Sequence, residues 1–183
     1  KENTKFGCSV FQHSGFGGWE VKLIEGTYNQ DYCTNNGINN EISSIKVYPG
    51  FYIRVYEGDL NINSKNVIFY PGNYDMWQLI SRGINNDTIS SIEVFKDDGK
   101  MKYIGCFVDD GNRDMKYGPK RYGYDSNSCN IACKDYNYFA LQNNGWCVCD
   151  NNYNTENKYH RRGDNECGNK GGSWRNKIYK TSK

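Results

Sequence analysis

The sequence predicts two units in series, an all-β first half built as a sandwich or Greek-key barrel and a small disulfide-rich α+β second half. Three observations carry this. Short β-branched or aromatic runs closed by Gly or Pro-Gly recur through the first 96 residues, the pattern of strands joined by tight turns. Within them GINNEISSIKVY (37–48) returns as GINNDTISSIEVF (83–95), with Ser44 and Ser91 47 positions apart, as two supersecondary units sharing one core would. The eight cysteines divide unevenly: Cys8 and Cys33 lie in the first third, and Cys106, Cys129, Cys133, Cys147, Cys149 and Cys167 all fall beyond residue 105.

In chain order, WEVKLIEG (19–26), SSIKVYPG (43–50), FYIRVYEG (51–58), NVIFYPG (66–72) and SSIEVF (90–95) are the expected strands. DDGK (97–100) is polar, turn-forming and without periodicity, which sets the units at 1–97 and 101–183. Beyond it, KYIGCFV and WRNKIYK read as strands. DSNSCNIACKDY (125–136) reads as one short helix, with an Asp or Ser cap and Cys129 and Cys133 on one face. A segment of about 80 residues has a marginal core and calls for covalent staples.

Of 183 residues, 37% are hydrophobic and 15% aromatic, with 16 Tyr, 8 Phe and 4 Trp, which suits small β domains and wet binding surfaces. A net charge of +2 without a basic run argues against nucleic acid. No run approaches the roughly 18 apolar residues of a membrane span. The chain starts at Lys1 without Met or a signal-like segment, as an artificial boundary or a mature secreted chain would. An even cysteine count split two and six reads as separate disulfide sets in an oxidising compartment, Cys8 and Cys33 forming the first. Six cysteines allow 15 connectivities, which the sequence leaves open. Cys129-x3-Cys133 and Cys147-x-Cys149 also offer zinc donors, but C-x-C is tight for a structural zinc site.

Phe11, Phe16 and Gly18 in F-QHSG-F-G-G, with Asn39-Asn40-Glu41-Ile42-Ser43-Ser44 and Asn86-Asp87-Thr88-Ile89-Ser90-Ser91, make residues 5–96 resemble the calcium-binding microbial and invertebrate βγ-crystallins. The resemblance implies two Greek keys and two calcium sites, each motif clamping an ion together with the other key's first hairpin. The implied ligands are Asn39, the Glu41 carbonyl and Ser43 with Glu57, and Asn86, the Thr88 carbonyl and Ser90 with Gln12. These are the hard oxygens that Ca²⁺ takes six to eight at a time. With few formal charges the expected dissociation constant is on the order of 10⁻⁴ to 10⁻⁵ M. The second key departs from the pattern, holding Asn61 and Asn63 where an aromatic and a glycine are expected. Asn86-Asp87-Thr88 is also a glycosylation sequon; a glycan and a metal on Asn86 exclude each other, and the metal is the expectation.

Residues 102–180 resemble a WSC domain. The matching residues are Gly105-Cys106-Phe107, then Cys129, Cys133, Tyr138, Phe139, Cys147 and Cys149, and finally Cys167 with Gly171, Gly172, Trp174, Arg175 and Tyr179. Three extra residues split the terminal CGG, and one family cysteine pair before it is absent. The resemblance implies carbohydrate binding, for which Tyr117, Tyr122, Tyr124, Trp146 and Tyr153 are the candidate contacts. Phe107, Phe139 and Trp174 are assigned to packing. Arg162-Gly163-Asp164 spells an integrin tripeptide, but ordinary turn chemistry accounts for it.

Catalysis finds no constellation: His13 and His160 stand in separate units, and Asp109, Asp110 and Asp114 read as a solvated turn. The expected protein is a secreted, calcium-binding, lectin-like adhesion protein whose partners are cell-surface or matrix glycans, with self-association as a further possibility. A calcium-dependent matrix or secretory-granule protein without sugar binding is the alternative, and a toxin or inhibitor subunit the third.

Overall fold

The computed structural model describes residues 5–61, 63–156 and 158–183. The chain divides into two compact units, the first ending at Asp98 and the second starting at Gly99.

In the first unit, β1 (Phe6–His13), β2 (Gly17–Ile24), β3 (Gly26–Tyr28) and β4 (Ser44–Val47) form one key. Strands β5 (Phe51–Tyr56), β6 (Asn66–Phe69), β7 (Gly72–Tyr74) and β8 (Ser91–Lys96) form the other. They assemble into two four-stranded antiparallel sheets, ordered β2-β1-β4-β7 and β3-β8-β5-β6. Each key therefore lends its third strand to the other's sheet, so neither closes its core alone. The inward positions of the alternating strands (Val10, Ile45, Val47, Ile53, Val55, Ile92, Val94) form that core with Leu79 and Ile89. Two short helices are additions to the expected strands: α1 (Gln30–Asn35) and α2 (Met76–Ser81). Six residues are too few for a helical period to show, but each start is capped, by Asn29 accepting from Tyr32 N and by a capping box between Asp75 and Gln78.

Cys8 and Cys33 are both buried free thiols, which corrects the expected disulfide. Cys8 packs inside the sandwich core, and the Cys33 thiol is directed at Tyr28 O, 3.9 Å away. Burial pushes the Cys8 thiol up to about 12 and the Cys33 thiol up to about 11. They behave as small hydrophobic residues.

The second unit is a six-stranded sheet with one helix, built from β9 (Lys102–Val108), β10 (Tyr117–Arg121), α3 (Ser126–Ala132), β11 (Tyr138–Gln142), β12 (Trp146–Asp150), β13 (Arg161–Arg162) and β14 (Arg175–Lys180). The strand order is β10-β12-β11-β14-β9-β13. Asp125 caps α3 through a capping box with Ser128, and the helix stops at Cys133, short of the expected end at Tyr136. Three disulfides join Cys106 to Cys167, Cys129 to Cys147 and Cys133 to Cys149. The last two fasten α3 to β12, with Phe139, Leu141 and Tyr179 packed around them. Gly171 has φ +83, and a Cβ there would overlap the Leu141 carbonyl, so this position requires glycine.

Candidate functional site

The two repeated loops lie face to face. Each is pinned by buried isoleucines, Ile38 and Ile42 in the first copy and Ile84 and Ile89 in the second, all at most 1% exposed. The second residue of each motif, Asn40 (φ 57) or Asp87 (φ 54), takes the left-handed conformation that Asn and Asp tolerate best. Asn40 N donates to Ile89 O at 3.0 Å. The two serines of each motif then divide the work. Ser44 Oγ donates to His13 O at 2.7 Å and accepts from Phe16 N, while Ser91 Oγ donates to Gly58 O, so the second serine ties its loop to its own key's hairpin. The first serine crosses over: Ser43 Oγ donates to Asp87 Oδ1 and Ser90 Oγ to Asn40 Oδ1, both at 2.9 Å. Ser90 Oγ also lies 3.4 Å from Thr88 O.

Asn39 Oδ1 and Asn86 Oδ1 are buried and accept no hydrogen bond among the described residues. An unsatisfied buried acceptor costs about 1–3 kcal/mol, and here it occurs at the same position of both copies. In each copy the same motif also carries a serine hydroxyl bonded to a side-chain oxygen of a left-handed Asn or Asp in the facing loop. This all-oxygen set fits a hard divalent cation.

The pairing of motif and hairpin differs from the expected one. Glu57 accepts from Asn85 N at 2.6 Å and faces the second motif, not the first. Gln12 follows Phe11, whose carbonyl accepts from Ser43 N at 3.0 Å, which puts it with the first motif. The reason is topological: β1 pairs with β4 and β5 with β8, so each motif stays on its own key's hairpin, and only the first serines cross. Asn40 and Asp87, absent from the expected ligand sets, are the side chains that meet the facing serines, Ser90 and Ser43. Burial works to raise the Glu57 carboxyl, but the Asn85 amide, the Thr88 side chain and Lys65 outweigh it and hold it below the usual glutamate value. The first hairpin has its corner: the Phe11 and Phe16 rings meet edge to face at 5.6 Å, and Gly18 has φ +74. In the second, which lacks that ring and glycine, Asn63 N donates to Asn61 Oδ1 at 2.9 Å.

In the second unit the candidate sugar contacts separate. Tyr122 and Trp146 meet edge to face at 5.0 Å and line a cavity of about 240 Å³ with Arg113, Gln142, Asn143 and Trp174. Trp174, expected in the core, is 50% exposed; its backbone has φ 51, and the Arg113 guanidinium lies 5.8 Å from its ring centroid. Tyr153 is 1% exposed and packed between Phe107 and Tyr138, a core residue rather than a contact. Tyr117 is exposed and stacks on Tyr136, while Tyr124 is half-buried and accepts from Arg121 Nε. The Arg-Gly-Asp side chains are engaged within the unit, Arg162 with Glu166 and Asp164 with the Tyr103 hydroxyl. The sulfurs of Cys129, Cys133 and Cys147 lie within 4.8 Å of one another, a grouping that offers metal ligands only when reduced; here all three are in disulfides.

Compared with known families, residues 103–176 match the WSC domain. Solved structures similar to the chain include the N-terminal domain of protein S, at 31% identity over 49% of this chain and 96% of that one, with a TM-score of 0.42. A βγ-crystallin domain from Clostridium beijerinckii follows at 22% identity, covering 49% and 97%, TM-score 0.42. Another from Flavobacterium johnsoniae has 23% identity, covering 50% and 96%, TM-score 0.42. No curated protein matches the chain.

Proposed function

We propose that this chain, a βγ-crystallin-like unit followed by a WSC domain, is a calcium-dependent structural protein of an extracellular matrix or secretory granule. The observation that carries the reading is the pair of buried, unpartnered oxygens, Asn39 Oδ1 and Asn86 Oδ1, at equivalent places in two facing loops. One ion would be held by Asn39, the Glu41 carbonyl and Ser43 with Gln12 and Asp87. The other would be held by Asn86, the Thr88 carbonyl and Ser90 with Glu57 and Asn40. Each set contains one carboxylate, which fits the weak affinity, about 10⁻⁴ to 10⁻⁵ M, of extracellular calcium modules. Since the Ser43–Asp87 and Ser90–Asn40 contacts already span both keys, calcium would tighten the joint between them and stiffen the unit. Three disulfides in the second unit favour an oxidising compartment.

Titration calorimetry in millimolar calcium tests this. Two weak sites and a raised unfolding midpoint are expected, with light scattering that rises with calcium. No heat and no shift in midpoint would remove the calcium reading.

A second reading, a glycan-recognising adhesion protein, is supported by the cavity of the second unit. Tyr122, Trp146 and Trp174 offer ring faces beside the amides of Gln142 and Asn143, the mixture of apolar and polar surface that a sugar presents in return.

A further inference from the structure

The charge of the chain is polarised between its units. Up to Asp98 it holds 8 Lys and Arg against 12 Asp and Glu, a net −4, and from Gly99 onward 15 against 9, a net +6. The overall +2 conceals a basic second unit.

Part of this charge meets the aromatic cavity. A second cavity of about 500 Å³ adjoins the first, and the two share Arg113 and Trp146, so together they form one groove. Lys116 and Lys120 line its far part. Both are exposed, and among the described residues neither has a carboxylate within ion-pair distance. Carboxylates near the groove are already engaged. Asp109, 3% exposed, pairs with Arg113 at 3.3 Å and accepts from Gln142 Nε2 at 2.8 Å. Asp150 accepts from the backbone amides of Lys116, Asn151 and Asn152. Asp110 is held by Lys158 and Tyr159. The indole N–H of Trp146, which lines both cavities, is buried and has no acceptor among the described residues. Three of the groove residues, Arg113, Lys120 and Trp174, stand at positive φ, a backbone conformation costly for side chains of this kind. Rings lie at one end, unpaired ammonium groups at the other, and a guanidinium rests on the Trp174 ring, 5.8 Å from its centroid.

We infer that this groove binds an anionic oligosaccharide, one bearing carboxylate or sulfate groups. Sugar rings stack on Tyr122 and Trp174, and the acidic groups are met by Lys116 and Lys120. This rests on the glycan reading above and adds to it the charge class of the sugar. Neutral sugars would leave two unpaired lysines without a role, whereas a bare polyanion would leave the exposed tryptophan without one.

The test is binding by the intact chain of a heparin tetrasaccharide and a polygalacturonate tetramer, against cellotetraose and inorganic polyphosphate, at low and at 0.5 M salt. The acidic saccharides are expected to bind, with affinity that falls steeply with salt. Lys116→Ala with Lys120→Ala should lower that affinity on the order of tenfold and flatten the salt dependence, while the Lys→Arg pair retains both. Trp174→Ala, at an exposed position, should abolish stacking and lower affinity for the saccharides but not for polyphosphate. If cellotetraose binds as tightly as the acidic sugars and the lysine variants change nothing, the charge assignment is wrong and the glycan reading stands. If polyphosphate binds as well as heparin and Trp174→Ala has no effect, the groove is an electrostatic patch and the proposal fails. If no saccharide binds, both readings fall together.

Discussion

Asn39 and Asn86 each bury an oxygen without a donor, so their substitution separates folding from metal binding. Asn39→Ala should leave the unfolding midpoint in chelator unchanged or slightly raised, because the orphan acceptor is gone, while reducing the rise produced by calcium. Equal calcium stabilisation of wild type, Asn39→Ala and Asn86→Ala would exclude both as ligands. Glu57 gives a pH signature. Its folded pKa lies below the ordinary 4.5, so its contribution is complete above about pH 4.5 and is lost as pH falls through the folded value. In chelator, Glu57→Gln should therefore be less stable than wild type at neutral pH, and the gap should close in acid. Parallel acid limbs would show that the Asn85 and Lys65 contacts contribute nothing. Cys8 and Cys33, with thiol pKa values near 12 and 11, should resist alkylation at pH 8 until the chain unfolds; mass spectrometry of the denatured protein should then count two labels.

Elements depend on a few residues whose backbone has no alternative. Gly171→Ala combines a left-handed φ with overlap on Leu141 O and should cost about 2 kcal/mol or more, read by denaturant unfolding; a loss under about 0.5 kcal/mol would mean that the loop relaxes freely. Five strands of the first unit were legible because their period-2 pattern survives in short runs, while β1, β3 and β7 were not. The helices α1 and α2 were not, since six residues hold less than two turns and their caps, Asn29 and Asp75, resemble ordinary loop residues. The Trp174 side was equally hidden. A tryptophan near a cysteine usually packs inward, whereas Trp174, at φ 51, is half exposed and lines the groove.

For the whole molecule, the two units should unfold as separable events because they are held by different means. The first relies on a core shared by two keys; the second is stapled by three disulfides, each worth about 3 kcal/mol. Calorimetry should show two transitions. Calcium should raise the first by a stabilisation of roughly 2.7 kcal/mol at 100 times the dissociation constant, and a reductant should abolish the second while sparing the first. A single transition that responds to both agents would show that the units fold as one.

By itself the sequence determined the two-part build, five of the eight strands of the first unit and the capped helix of the second, because these follow from local periodicity, turn chemistry and a repeated motif. Tertiary structure decided what depends on distance through space. It left Cys8 and Cys33 as buried thiols, Cys8 within the sandwich core and Cys33 outside that cluster, against the Tyr28 carbonyl. It exchanged Gln12 and Glu57 between the motifs, because strand pairing inside each sheet returns every motif to its own hairpin. It buried Tyr153 and exposed Trp174, and so gathered Tyr122, Trp146, Arg113 and two lysines, dispersed along the chain, into one groove.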